Sequence, residues 1–110
     1  MTYYIGDYHR IVCTMQEPNP YCPYRSRIVA VGVSDGESHA TRPELSVEEV
    51  VHLMRQGVLF YTKGEKSGKT AMVNYYHCSK CNQYHIRSAA DAVKDNNLDE
   101  LRVCVWSSAA

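Results

Sequence analysis

LSVEEVVHLMRQGVLFYT, residues 45 to 62, sets a helix directly before a strand. Ser46, with Glu49 three residues on, forms a capping box, the serine side chain accepting from an early helix amide. Val47, Val50, Val51 and Met54 recur at helical spacing, and Gly57 stands where a left-handed C-terminal residue belongs. VLFYT (58–62) is β-branched and aromatic and reads as a strand. A helix with one apolar stripe has to bury that stripe, and the strand that follows offers a sheet to bury it on.

Reading outward, the other segments are mostly strand. TYYIGDYHRIVCTMQ (2–16) alternates roughly and predicts a first strand. EPNPYCPY (17–24) holds three prolines in eight residues and predicts a loop. RSRIVAVGV (25–33) predicts a second strand, and DGESHATRPEL (35–45) a polar loop. After VLFYT come a turn, GEKSGK, a strand, TAMVNYYH (70–77), a tip, CSKCNQ, and a returning strand, YHIRS (84–88). The tail predicts a short helical turn around Leu98 and Leu101 and then a final extended stretch. The expected architecture is α+β: an antiparallel sheet of about five strands with one main helix packed on it. The whole chain, residues 1–110, reads as one small domain.

Composition narrows the function. Lys plus Arg equals Asp plus Glu, 12 each, which argues against a duplex DNA binder with its net basic face. No stretch approaches the roughly 18 apolar residues of a membrane span. The first ten residues lack a signal-peptide profile, so the expected location is the cytoplasm. Five cysteines are an odd number and fit a disulfide framework poorly, and a cytosolic setting keeps thiols reduced. Nine tyrosines against one Phe and one Trp suit half-exposed sheets, interfaces and stacking sites.

Three motifs bear on chemistry. GEKSGKT (64–70) leaves three residues between its glycines where a nucleotide-binding P-loop needs four, and a strand follows it instead of a helix. It reads as a hairpin turn. Cys78 and Cys81 form a Cys-x-x-Cys at a hairpin tip, which reads either as two unligated cysteines or as half of a structural zinc site. For a closed zinc site, His77 and His85 flank the pair, and Cys13 and Cys22 can arrive from the N-terminal strand and loop. A redox role needs the motif at a helix start, where the dipole lowers a thiol pKa, and this context is strand-turn-strand. No nucleophile elbow or metalloprotease helix appears, and the chain is expected not to be an enzyme.

The third is a binding signature. Tyr24, Arg25 and Arg27 open the second strand, Phe60 and Tyr61 end the strand after the helix, and Arg87 closes the long hairpin. An aromatic with an arginine can hold a purine while further arginines neutralise its phosphates. Taken one at a time, Arg25 and Arg27 also fit solvated strand ends, and Phe60 fits the core.

The run LSVEEVVHLMRQGVLFYT, then GKTAMVNY, YHIRSAAD and DNNLDELRVC, with RIVAV before it, resembles a family of small bacterial and phage domains of unknown function. The likeness covers residues 27 to 104. Within that neighbourhood the chain is also similar to the phage anti-Thoeris signal-sponge proteins. This resemblance implies a non-enzymatic homo-oligomer that sequesters cyclic nucleotide immune signals, of the cyclic ADP-ribose type or cyclic oligonucleotides, in the bacterial host cell. It implies Phe60 and Arg87 on the adenine and Arg25 or Arg27 on the phosphates; Tyr61, from the binding signature, completes the candidate ligand-binding set. No cofactor is required under this reading. The alternative is a zinc-stabilised interaction module that binds protein or single-stranded nucleic acid, with Tyr75, Tyr76 and Tyr84 as a stacking platform.

Overall fold

The computed structural model describes residues 3–19, 26–34, 43–89 and 96–104. Its elements are β1 (Tyr8–Pro18), β2 (Ser26–Ser34), β3 (Leu45–Ser46), α1 (Val47–Arg55), β4 (Leu59–Lys63), β5 (Thr70–Cys78), β6 (Gln83–Ser88), a 3-10 turn (Leu98–Glu100) and β7 (Arg102–Val103). The strands run in the order β3-β2-β1-β4-β5-β6, with β7 added to β1.

The α+β class agrees with the sequence reading, but the sheet has seven strands and is mixed. β1 pairs antiparallel with β2 and parallel with both β4 and β7. The cause is the crossover. The chain leaves β2, passes through β3 and α1, and returns on the other side of β1, so β4 runs the same way as β1. Parallel neighbours need such a connection, and a helix usually supplies it. Residue patterns mark strands and leave their partners unstated; β3, of two residues, escapes a pattern reading, while β7 falls where the tail is expected to be extended.

Two boundaries differ as well. β1 begins at Tyr8 because residues 4–7 turn, with the Asp7 amide donating to the Tyr4 carbonyl at 3.1 Å and Gly6 at φ +86°. β1 also runs through Glu17 and Pro18, which the three prolines assign to a loop; Pro18 is its last residue and pairs only with Ser26. A proline is tolerated at a strand end, where its missing N–H breaks no ladder bond.

Helix α1 starts as its sequence requires. Ser46 Oγ accepts from the Glu49 amide and Glu49 Oε1 accepts from the Ser46 amide, both at 3.1 Å. It stops at Gly57, whose φ of +101° lies in the left-handed region, and a Cβ there would sit 3.0 Å from Ile5 Cγ2. Both the backbone conformation and the space call for glycine. The Val47, Val50 and Val51 stripe packs on Ile11, Val31, Val33, Phe60, Val73 and Ile86. Each such side chain taken from water contributes about 1.5–3 kcal/mol.

The sheet curls. Arg27 on β2 donates from Nε to the Tyr84 carbonyl on β6 at 2.9 Å, although β1, β4 and β5 lie between those strands in the sheet order. The same guanidinium donates to Glu48 on α1 at 2.8 Å. One arginine thus ties β2, the outer edge of β6 and the helix start together.

A second tie runs against the sequence expectation. Cys13 on β1 and Cys104, one residue past β7, form a disulfide, with both side chains buried. β7 lies beside β1 in the register Cys13 to Arg102, and this brings Cys104 to a Cα distance of 4.9 Å. The expectation of reduced thiols throughout is corrected here. The odd count misleads because it adds together cysteines of two different kinds. Among the described residues no helix is long and apolar enough to cross a membrane.

Candidate metal centre and ligand face

β5 and β6 form a regular antiparallel hairpin in which Tyr76 faces His85, His77 faces Tyr84 and Cys78 faces Gln83. Residues 79–82 make the turn, and Asn82 takes φ +55°, a left-handed conformation that asparagine tolerates better than most residues. The ligand atoms of Cys78, Cys81 and His85 lie within 4.8 Å of one another, and Cys81 Sγ is 3.2 Å from His85 Nε2. Neither cysteine is in a disulfide.

This cluster could hold a metal ion, and the donor set suits zinc. Tetrahedral zinc bonds of about 2.3 Å to sulfur and 2.0 Å to nitrogen put ligand atoms roughly 3.5–3.8 Å apart. The Cys81–His85 pair, at 3.2 Å, is closer than that and all three donors lie within 4.8 Å, so seating an ion takes a small rearrangement of the three. His85 is 5% exposed. Burial, and then the charge of Arg27, push its pKa below the usual histidine value. The shift favours the neutral ring, the form that binds a metal.

The structure sorts the other candidates. His77 pairs with Asn82 Oδ1 at 3.1 Å, and the strand alternation puts it on the opposite side of the hairpin from His85. Cys13 is committed to its disulfide. Cys22 lies outside the described residues. The spacing Cys-x-x-Cys-x-x-x-His contains His85 already; what the sequence lacks is the side of the hairpin on which each histidine falls.

The ligand-binding expectations divide in the same way. Phe60 is fully buried in the core, its ring near those of Tyr3 and His9, with centroids 6.4 Å and 6.0 Å away. The expectation that it stacks on a base is corrected, because no face of the ring is open. Arg27 is 7% exposed and held by Glu48 and Tyr84, so as a phosphate partner it too is corrected. Arg25 lies outside the described residues, as does Tyr24.

Tyr61 and Arg87 are placed differently. Bridge partners share a sheet face, and so do alternate residues of one strand. Tyr61 pairs with Met72, and Asn74 pairs with Arg87, so Tyr61, Met72, Asn74, Tyr76 and Arg87 all lie on the face away from the helix. The Arg87 guanidinium carbon stands 4.9 Å from the centroid of the Tyr76 ring. Tyr76 also stacks on His85, with centroids 5.2 Å apart and planes 16° from parallel. Tyr76 therefore links the metal cluster to Arg87. Its place on the open face is readable from the alternation Met72, Asn74, Tyr76 against buried Ala71 and Val73.

The three-tyrosine platform is split by the same alternation. Tyr75 and Tyr84 lie on the helix side, where Arg55 donates to the Tyr84 hydroxyl at 2.5 Å, while Tyr76 faces the other way. Comparison with known protein families, with curated proteins and with solved structures finds no match. The chemistry has to be read from the chain itself.

Proposed function

We propose that the chain is a non-enzymatic binding protein that captures a small anionic nucleotide on the open face of its sheet, with Arg87 as the anchor. The observation that carries this reading is Arg87 itself. It is exposed, it lies over Tyr76, and among the described residues no hydrogen-bond or ion-pair partner engages it. A guanidinium already set against an aromatic ring keeps its edge N–H groups for phosphate, and the ring beside it offers a surface for a base. Tyr61 extends that surface toward β4. A second copy of the chain laid over the face would enclose the ligand, consistent with a homo-oligomer.

The biological form of this reading is the sponge of the resemblance. A phage or prophage protein in the bacterial cytoplasm would hold cyclic ADP-ribose-type signals or cyclic oligonucleotides without converting them. Zinc at Cys78, Cys81 and His85 would then be structural, fixing the turn and, through His85 and Tyr76, the rotamer of Arg87. Native mass spectrometry with a panel of cyclic ADP-ribose isomers and cyclic di- and trinucleotides tests it. One of these should be retained intact at a stoichiometric ratio. Arg87→Ala should weaken that binding by roughly tenfold or more, as expected for a charged hydrogen bond, while the fold and metal content stay unchanged. Equal retention by wild type and Arg87→Ala of every ligand tested would remove the reading's anchor.

The metal cluster favours a second reading, a zinc-stabilised module for a protein partner. It predicts one bound zinc, no retained nucleotide, and joint loss of partner binding and hairpin structure in Cys81→Ser.

A further inference from the structure

The end of the sheet where β1, β4 and β7 meet holds a cleft of about 590 Å³ that the functional reading above does not use. Four cations line it from four places in the chain: Arg10 on β1, Lys63 at the end of β4, Lys66 in the following turn and Arg102 on β7. Two carboxylates, Glu65 and Glu100, share the lining. Glu65 is bound to Arg102, so the cleft retains a positive excess.

Arg10 is the informative residue. It is half-buried, and its Nη2 makes only a long contact, 3.4 Å, with the Lys63 carbonyl. Its Nε is buried and, among the described residues, has no acceptor. A buried donor on a charged group without an acceptor is costly, more so than an amide in the same position. The same guanidinium lines a cleft in which four cations meet two carboxylates, a setting that favours an added anion.

The turn over the cleft fits that anion. GEKSGK is closed by the Gly64 amide donating to the Lys69 carbonyl and the Gly68 amide donating to the Gly64 carbonyl, both at 2.9 Å. Gly68 takes φ +70°, and nothing lies within 4 Å of the position a Cβ would fill. Backbone at this position can therefore come close to a ligand. The turn is no P-loop, because a strand follows it. It nevertheless brings Lys66 to the cleft, and Gly64, Ser67 and Gly68 line an adjoining pocket that shares Arg10, Lys63, Lys66 and Arg102 with it.

We propose that this cleft binds the phosphate or diphosphate group of a small phosphorylated molecule, with Arg10 as the inner contact and Lys63, Lys66 and Arg102 around it. The site rests neither on the metal cluster nor on Arg87, which belong to the β5–β6 hairpin.

An amide NMR titration of the full chain with inorganic pyrophosphate tests this, with chloride at matched ionic strength as the control. Saturable shifts are expected at Lys63, Gly64, Lys66, Gly68 and Arg102. Arg10→Gln should weaken binding roughly tenfold or more, the loss of a charged hydrogen bond. Lys66 is exposed in a turn, and Lys66→Gln should weaken binding a few-fold. Arg87→Ala should leave the pyrophosphate affinity unchanged, which separates this site from the Arg87 end of the same sheet face, where Arg10 pairs with Tyr61. A nucleoside diphosphate titrated in parallel shows whether an organic diphosphate is held more tightly than the free one. Shifts that chloride reproduces, or an affinity that Lys66→Gln and Arg10→Gln both leave intact, would overturn the proposal.

Discussion

Two cysteine pairs stand at opposite extremes of this molecule. Cys13 and Cys104 are 91 residues apart in sequence, both buried, and joined covalently where β7 lies along β1. Cys78 and Cys81 stand at a hairpin tip, half-buried, unjoined, and within reach of a histidine. Burial and long-range pairing make a cross-link of the first pair, and a tight turn with a nitrogen donor makes a candidate metal clip of the second. Sequence spacing alone points only to the second pair.

The largest expected effect tests the first pair. A cross-link over so long a loop stabilises chiefly by restricting the unfolded chain, and removing a native one from a small domain typically costs about 2–5 kcal/mol. Cys13→Ala with Cys104→Ala should lower the unfolding free energy of the whole domain, read from urea titration, by an amount in that range. Hydrogen exchange should accelerate across β1, β2 and β4 together. A double variant as stable as wild type would mean that the β1–β7 pairing holds without the bond, and the contrast between the two pairs would collapse.

The next effect should be confined to the hairpin. Cys81→Ser, or a chelator added to wild type, should abolish metal retention in elemental analysis. It should also speed amide exchange within residues 75–87 while leaving the β1–β2–β4 core protected. The reason is topological: β6 is an edge strand, and among the described residues it is tied to the rest by β5, by α1, by the Arg27 bridge and by single hydrogen bonds from the Leu98 amide to Ser88 and from Asn19 to Gln83. A loss of stability spread evenly over the chain would contradict this and make the clip as global as the disulfide.

The same contrast shows how far the sequence can be read. The capping box, the valine stripe, Gly57 and the hairpin strands are legible because each is a local pattern whose physics lies within a few residues. The parallel β1–β4 and β1–β7 pairings and the disulfide depend on partners far along the chain, which local patterns do not encode. The candidate site falls between these cases. Arg87, Tyr61, Cys78 and Cys81 stand out in the sequence itself. Phe60 is easily assigned to the wrong side because adjacent strand residues face opposite ways, and VLFYT contains an aromatic for each face. Arg27 has the pattern of a solvated strand end and becomes a buried bridge once the sheet curls. Arg10 gives no local signal because its cleft exists only where three separate strands converge.

The smallest effect concerns how the hairpin end is tethered without a covalent link. Arg27 reaches Glu48 as well as Tyr84, so the tether has a titratable component. Burial pushes the Glu48 carboxyl upward. The Arg27 hydrogen bond, the backbone amide of Glu48 and the Arg27 charge together outweigh it and hold the pKa below the ordinary value. A depressed folded pKa means that the unfolded chain binds protons more readily. The contribution is therefore present in full above the unfolded value of about 4.3, and is lost as pH falls through the lower folded value. Glu48 is 62% exposed, so solvent and salt screen the pair. Its worth should fall in the range of about 0–1 kcal/mol measured for such pairs. Wild type and Glu48→Gln should differ in stability by that small amount at neutral pH and converge below about pH 4, near the unfolded carboxyl value. A gap that stays open in acid would show that the substituted amide disturbs the helix start by its shape, and that the Arg27 tether works through the Tyr84 carbonyl alone.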